Sequence, residues 1–314
     1  MRRYILGRLV QLVIVILGVT FLTFLVTQAA PSDPAEMSYL SRGIAPTAEQ
    51  LAAAREEMGL NKPFLTQYFD WLVRVLHGDL GESYNNGNSI FEEMTRKLPE
   101  TAKLAGSTLL VVVLISFPLG VLTAVKRNRP IDYIVRFTSF FGISMPGFWL
   151  GLMTMYVFGV VLRLLPVVGK QDFRSMIMPV ITLSIPMACS YTRQIRVAVM
   201  EEMSNDYITG LRSRGLTERT ILIRHVLPNA MPPIITLLGL SIGGLLGGAA
   251  IVETIFGWQG IGDMVVTAIR VRDYPVIQAY VLWMAVIYVF TNLLVDISQH
   301  LMDPQLRKSG KIGG

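Results

Sequence analysis

The sequence predicts an all-α membrane protein with six transmembrane helices. Three observations carry that prediction. The 314-residue chain is 52% hydrophobic and only 16% charged, whereas a soluble domain carries about a quarter charged residues. Its apolar residues fall into blocks, which marks a polytopic membrane chain rather than one large soluble core. Its net charge of +6 gathers at the block ends, so the charge reads as a topology signal and argues against nucleic acid as a partner.

A helix needs about 20 apolar residues to cross a bilayer core. Six charge-free runs meet or approach that length: 9–30, 104–125, 137–162, 175–192, 226–252 (with the fifth span itself set at 229–252) and 274–295. The first follows Arg2 and Arg3, and Thr27 and Ala29 give it small residues near its end. It is long for a signal-peptide core and prolines follow at once, so an uncleaved first span is favoured. The fourth is the shortest and holds Pro179 and Pro186. It counts as a span because neighbouring helices can satisfy freed backbone groups. Pro146 and Pro186 are expected to kink the third and fourth spans.

Orientation follows from Lys and Arg in the short flanks. With the N-terminus inside, the inner segments carry Arg2, Arg3, Arg8, Lys126, Arg127, Arg129 and Arg136. They also carry Arg193, Arg196, Arg212, Arg214, Arg219, Arg224 and, in the 296–314 tail, Arg307, Lys308 and Lys311. The short outer segments carry only Arg163, Lys170, Arg174, Arg270 and Arg272. Both termini are then cytoplasmic, and residues 31–103 form a large first extracytoplasmic loop. In that loop Thr47 and Gln50 have capping-box spacing and Gly59 supplies a helix stop. Phe64, Tyr68, Trp71, Leu72, Val75 and Leu76 recur at helical spacing. They predict an amphipathic helix on the outer membrane face or on neighbouring spans, for anchoring or for contact with a delivering partner. The single cysteine, Cys189, excludes an internal disulfide.

Between the fourth and fifth spans the chain reads DYITGLRSRGLTERTILIRHVLPNAMPP, residues 206–233. Gly215 divides this segment and tolerates left-handed dihedrals. Thr217 is placed to cap a second helix, and Leu216 with Ile221 occupies the two positions of a hydrophobic staple. Pro228 is expected to end that helix, Asn229 to cap the next span, and Pro232 and Pro233 to fall in its first turn. The product is a bent, preorganised elbow in the cytoplasm. A plain basic loop needs neither caps nor a glycine hinge.

This segment resembles the cytoplasmic EAA-type loop of type I ABC importer permeases: Thr209-Gly210-Leu211, then Gly215, then Leu227-Pro228 at matching spacing. The resemblance extends over essentially the whole chain, and looks like the first permease of the peptide/nickel subfamily. It is carried by RRYILGRLVQLVIVILGVTFLTFLV with PSDP, MGLNKPFLTQYFDWL with HGDLGES, SFPLGVLTAVKRN, SMPGFWLG and LMDPQLR. It implies the MetI-like permease fold, with an importer domain over 97–298, in the inner membrane of a prokaryote. It implies that the 199–228 loop couples to an ATPase, through Asp206, Tyr207, Gly210, Arg212, Arg214, Gly215, Leu216, Arg219, Leu227 and Pro228. VETIFGWQGIG resembles the family's outer-gate loop, with Glu253, Phe256, Trp258 and Gly260; this chain has Trp258-Gln259-Gly260 where the family usually has Trp-Pro-Gly. The implied partners are a second homologous permease, two ATPase subunits and an extracytoplasmic substrate-binding protein.

The residues also bear on energy and substrate. The six runs hold no ionisable group besides tyrosine and Cys189, which disfavours an ion-coupled carrier. Ser144 and Ser184 lie in runs that hold no His, which disfavours a membrane hydrolase. Neither Gly169-Lys170 nor Gly310-Lys311 fits a Walker A loop, so ATP and Mg are expected in partner subunits and no cofactor in this chain. Gly239, Gly243 and Gly247 repeat every four residues, for close helix packing or for a gate helix sliding on the second permease. His77, His225 and His300 are scattered and offer no metal-ligand set. The resemblance in the first loop leans toward nickel or a nickel chelate as cargo, with dipeptides and oligopeptides as the alternative.

Overall fold

The computed structural model describes residues 2–29, 33–40, 43–167 and 172–302. Lys170, the start of the first loop at 31–32 and the tail cations Arg307, Lys308 and Lys311 lie outside the described residues. The described chain is helical, and its helices fall into two compact units.

The first unit comprises Met1–Thr101 with Gln259–Val289. It holds α1 (Arg2–Gln28), α2 (Pro34–Leu40), α3 (Ala48–Glu57), α4 (Phe64–Leu76), the start of α5 (Ile90–Val125), α12 (Ile261–Val271) and most of α13 (Tyr274–Met302). Thr47 and Gln50 exchange both bonds of a capping box, at 2.9 and 3.3 Å, which starts α3. Part of the apolar face of α4 lies on α1, while Leu76 of the same set stays exposed. Phe24, Tyr68 and Trp71 are buried together. Phe21 meets Tyr68 edge-on with centroids 5.4 Å apart, and the Tyr68 hydroxyl shares a 3.1 Å bond with Thr20. A second core joins Leu80, Ile90 and Met94 to Met264, Ala268, Val276 and Ala279. Asp273 fastens the HGDLGES turn to this core. Its buried carboxylate accepts from the Ser83 hydroxyl and from the backbone N–H groups of Tyr84 (3.2 Å) and Asn85 (3.3 Å).

The second unit comprises Ala102–Trp258 with Phe290–Gly314. Here α8 (Phe173–Met203) is the central element, packed against α6 (Pro130–Ser144), α7 (Gly147–Thr154) and α11 (Leu227–Phe256). The Asp172 carboxylate caps α8 by accepting from Ser175 N–H at 2.8 Å. The third apolar run is not one straight span. It breaks at Met145–Pro146 and the flanking helices meet at 99°. The residue before a proline is driven out of helical dihedrals, and Met145 is extended, at φ −80° and ψ 124°. Beyond α7 the chain widens into a π-helix, Met155–Val161. By contrast, α8 runs unbroken through Pro179 and Pro186.

Five helices are long and apolar enough to cross a membrane, and six spans result when the bent α6–α7 pair counts as one. The chain is therefore a multi-pass membrane protein. Helices outrun the apolar runs that mark them. α5 begins at Ile90, so the end of the 31–103 stretch is already helical, with Glu92 and Glu93 in its first turn, where carboxylates suit the helix dipole.

Candidate coupling site

The 206–233 segment folds as a short helix, a glycine hinge and a second helix. α9 (Asp206–Ser213) buries Ile208 and half-buries Leu211, while Asp206, Tyr207, Gly210, Arg212 and Arg214 stay exposed. Gly215 follows at φ +79°, a left-handed residue that turns the chain. Thr217 then caps α10 (Glu218–Ile221), accepting from Thr220 N–H. Leu216 is half-buried and Ile221 buried, in one cluster with Ile208, Val226, Ala230, Ile195 and Val199. The elbow is thus seated on α8 and α11 through apolar side chains, and its charged face is left to solvent. Arg212 and Glu218 close the hinge from outside with two bonds, at 2.7 and 3.2 Å. Arg214 and Arg219 are exposed and form no ion pair among the described residues.

The expected end of the second helix is corrected by the structure. Pro228 is exposed and does not stop the chain; α10 passes through a π-turn, Leu222–Val226, directly into α11, with half-buried Leu227 and Pro228 at its start. Proline lacks an N–H and its ring crowds the carbonyl four residues back. A widened turn just before it, with Leu227 N–H bonded to Leu222 C=O, absorbs both defects. Asn229 accordingly caps nothing. Its side chain donates to Glu202 Oε1 (3.0 Å) and to the Tyr207 hydroxyl (3.2 Å). Tyr207 itself donates to Glu202. Burial, and then the Glu202 bond, raises the Tyr207 phenol above its ordinary range. This polar clasp ties α9 to the ends of α8 and α11.

A second linkage was not legible in the sequence. Asp132, in the first turn of α6, is fully buried, and Arg196 of α8 grips it with bonds of 2.8 and 2.9 Å. Asn128 N–H donates at 3.0 Å, and Arg136 Nε lies 3.5 Å away. By sequence alone, Arg136 and Arg196 register only as topology signals. The two partners stand 64 residues apart, and no spacing rule joins them. α8 runs from this pair to Met203, and α9 starts at Asp206, so the pair connects α6 to the helix that carries the elbow.

At its other end, α11 stops by a left-handed Gly257 (φ +63°), with Trp258 N–H returning to Glu253 C=O at 2.8 Å. The glycine this turn requires is Gly257. Gly260 is an extended N-cap residue of α12. Glu253 is fully buried, Phe256 packs with Met178 and Val252, and Trp258 packs with Leu104, Val180 and Ala249. Of the α11 glycines, Gly239 lies against α13: a Cβ there would clash with Val295 Cγ2. Gly243 is half-buried, and the surroundings of Gly247 lie outside the described side chains.

A family model for the inner membrane component of binding-protein-dependent transport systems matches residues 116–308, and its N-terminal companion matches 1–105. The chain belongs to this family. It is an ABC importer permease of the peptide/nickel type. Two relatives are similar along nearly their whole length. The glutathione transport system permease protein GsiC of Salmonella choleraesuis (strain SC-B67) is 35% identical, covering 98% of this chain and 99% of its own. The dipeptide transport system permease protein DppB of Escherichia coli (strain K12) is 34% identical, with the same coverage, 98% and 99%. Among solved structures, one titled as the inward-facing MetNI methionine ABC transporter matches with a TM-score of 0.56. It is 18% identical and covers 67% of this chain and 96% of that one. The likeness shows a MetI-like fold. The permease is a membrane subunit and not itself an enzyme, and its kinship to importer systems implies ATPase and membrane partners.

Proposed function

We propose that this permease passes short peptides, as half of a path completed by a second homologous permease. The observation that carries the reading is the cargo named for its relatives. Full-length relatives at 34–35% identity are named for glutathione and dipeptide transport. This favours the peptide alternative over nickel. The elbow Asp206–Pro228 would seat in an ATPase subunit. Its exposed face carries Arg214 and Arg219, free of internal ion pairs among the described residues. Two such subunits would hydrolyse Mg-ATP, and the permease would supply no cofactor. An extracytoplasmic binding protein would deliver cargo near Glu253–Gly260. The small-residue face at Gly239, Gly243 and Gly247 would serve helix packing beside that path. Both termini would be cytoplasmic, in a prokaryotic inner membrane.

Uptake of a labelled dipeptide and of radioactive nickel, in cells with and without the chain, tests the substrate. Dipeptide uptake lost on deletion, with nickel uptake retained, is the expected result. Loss of nickel uptake alone would overturn it.

A further inference from the structure

We propose that the first unit carries its own binding site for short zwitterionic peptides. The site is the concavity bounded by α2, α3, α4, the 79–87 turn and the adjoining ends of α1 and α13. The proposal rests on the peptide reading and adds a place where the permease itself would hold its cargo. The concavity measures about 1280 Å³, against roughly 300–1,000 Å³ for common small-ligand pockets. A dipeptide fits, with room for a longer chain. It lies at the C-terminal end of α1 and the N-terminal end of α13. With both termini cytoplasmic, that is the extracytoplasmic side, where cargo arrives.

A short peptide presents a carboxylate at one end, an ammonium at the other and amide groups between. Its recognition needs a cation, an anion, a hydrogen-bond donor and an apolar wall. The lining supplies each. Two of its cations are neutralised internally: Arg55 pairs with Asp33 at 2.6 Å and Lys62 with Asp70 at 2.7 Å. Arg74, in the last turn of α4, forms no ion pair among the described residues. A guanidinium binds a carboxylate with two parallel bonds. Glu57 and Glu82, also lining the concavity and unpaired among the described residues, are partners for an ammonium. Trp71 lines it too. The residue is 6% exposed and its ring is stacked on Tyr68, yet its Nε1–H has no acceptor among the described residues. A buried donor left unmatched is costly; this N–H has no accessible surface, so a peptide carbonyl oxygen becomes its acceptor only once the side chains covering it shift. Tyr84 completes the wall. Burial, with Asp273 close by, pushes its phenol up to about 12 despite Arg74, so it stays a neutral donor at physiological pH.

The test uses the full-length chain in lipid nanodiscs and three probes: L-Ala-L-Phe, the same dipeptide with acetyl and amide caps, and nickel chloride. Saturable binding of the free dipeptide is expected, with at least tenfold weaker binding of the capped form. Exposed Arg74 is the first variant: Arg74→Ala should weaken the free dipeptide about tenfold and leave the capped form unchanged. Trp71→Phe keeps the ring and removes the donor, and should weaken both. Dipeptide uptake by cells together with no saturable binding, or binding indifferent to both substitutions, would overturn this site while leaving the peptide reading intact. Nickel uptake without dipeptide uptake would remove the peptide reading, and this site with it. A binding protein whose affinity falls in Arg74→Ala, with no free-dipeptide binding, would overturn the site in favour of protein docking.

Discussion

Asp132 is fully buried in a chain that keeps most of its charges exposed. Removing one partner of a buried ion pair strands the other, at a cost of about 3–5 kcal/mol in well-enclosed cases. Arg196 keeps a little solvent contact, with 12% of its side chain exposed, so the lower end applies. Asp132→Asn is expected to destabilise the chain by about 3 kcal/mol, because the amide cannot serve both guanidinium bonds and the Asn128 N–H at full strength. Thermal unfolding read by a thiol-reactive dye at the lone Cys189 measures this directly. The double variant Asp132→Ala with Arg196→Ala should cost less than the sum of the two single changes. Additive losses would show that the pair is not the source.

The elbow argues at the scale of the element. Its second helix, its cap and its staple were legible because each is a local pattern, read over four or five residues. Its hinge was legible too, since left-handed backbone favours glycine. What the space around Gly215 adds is the nature of the constraint. A Cβ built there meets no atom within 4 Å. The cost of substitution is therefore backbone strain, about 1–2 kcal/mol for an ordinary L-residue and less for asparagine. Gly215→Val should insert normally yet lose most transport, while Gly215→Asn keeps much of it, as ATP-driven uptake in membrane vesicles would report. Equal uptake by both would mean that the left-handed turn is not needed for coupling. Gly239 differs from Gly215. Its constraint is contact with Val295 of α13, which a four-residue repeat can suggest but not assign to a neighbour.

At the scale of the whole molecule, orientation in the bilayer decides which face meets the ATPase. The inside-positive pattern predicts that the elbow and both termini face the cytoplasm. Single cysteines, introduced at Glu57 and at Arg214 in a chain with Cys189→Ser, would report it. An impermeant maleimide should label position 57 in intact cells, and position 214 only after the membrane is opened. Reversed labelling would also move the peptide concavity to the cytoplasmic side.

Composition and run length alone determined a multi-pass helical protein, because the bilayer demands about 20 apolar residues per helical crossing. Local spacing determined the elbow, the capping box at Thr47 and the amphipathic α4. Tertiary structure decided the rest. It broke the third span at Pro146, because a proline can either bend a helix or be absorbed, and neighbours choose; the same chain carries two prolines through α8. It joined Asp132 to Arg196 and Asp273 to the 83–85 turn, pairings that only three-dimensional proximity creates. It also carried the chain through Pro228 by widening a turn, since the energy of a helix end depends on what packs beyond it.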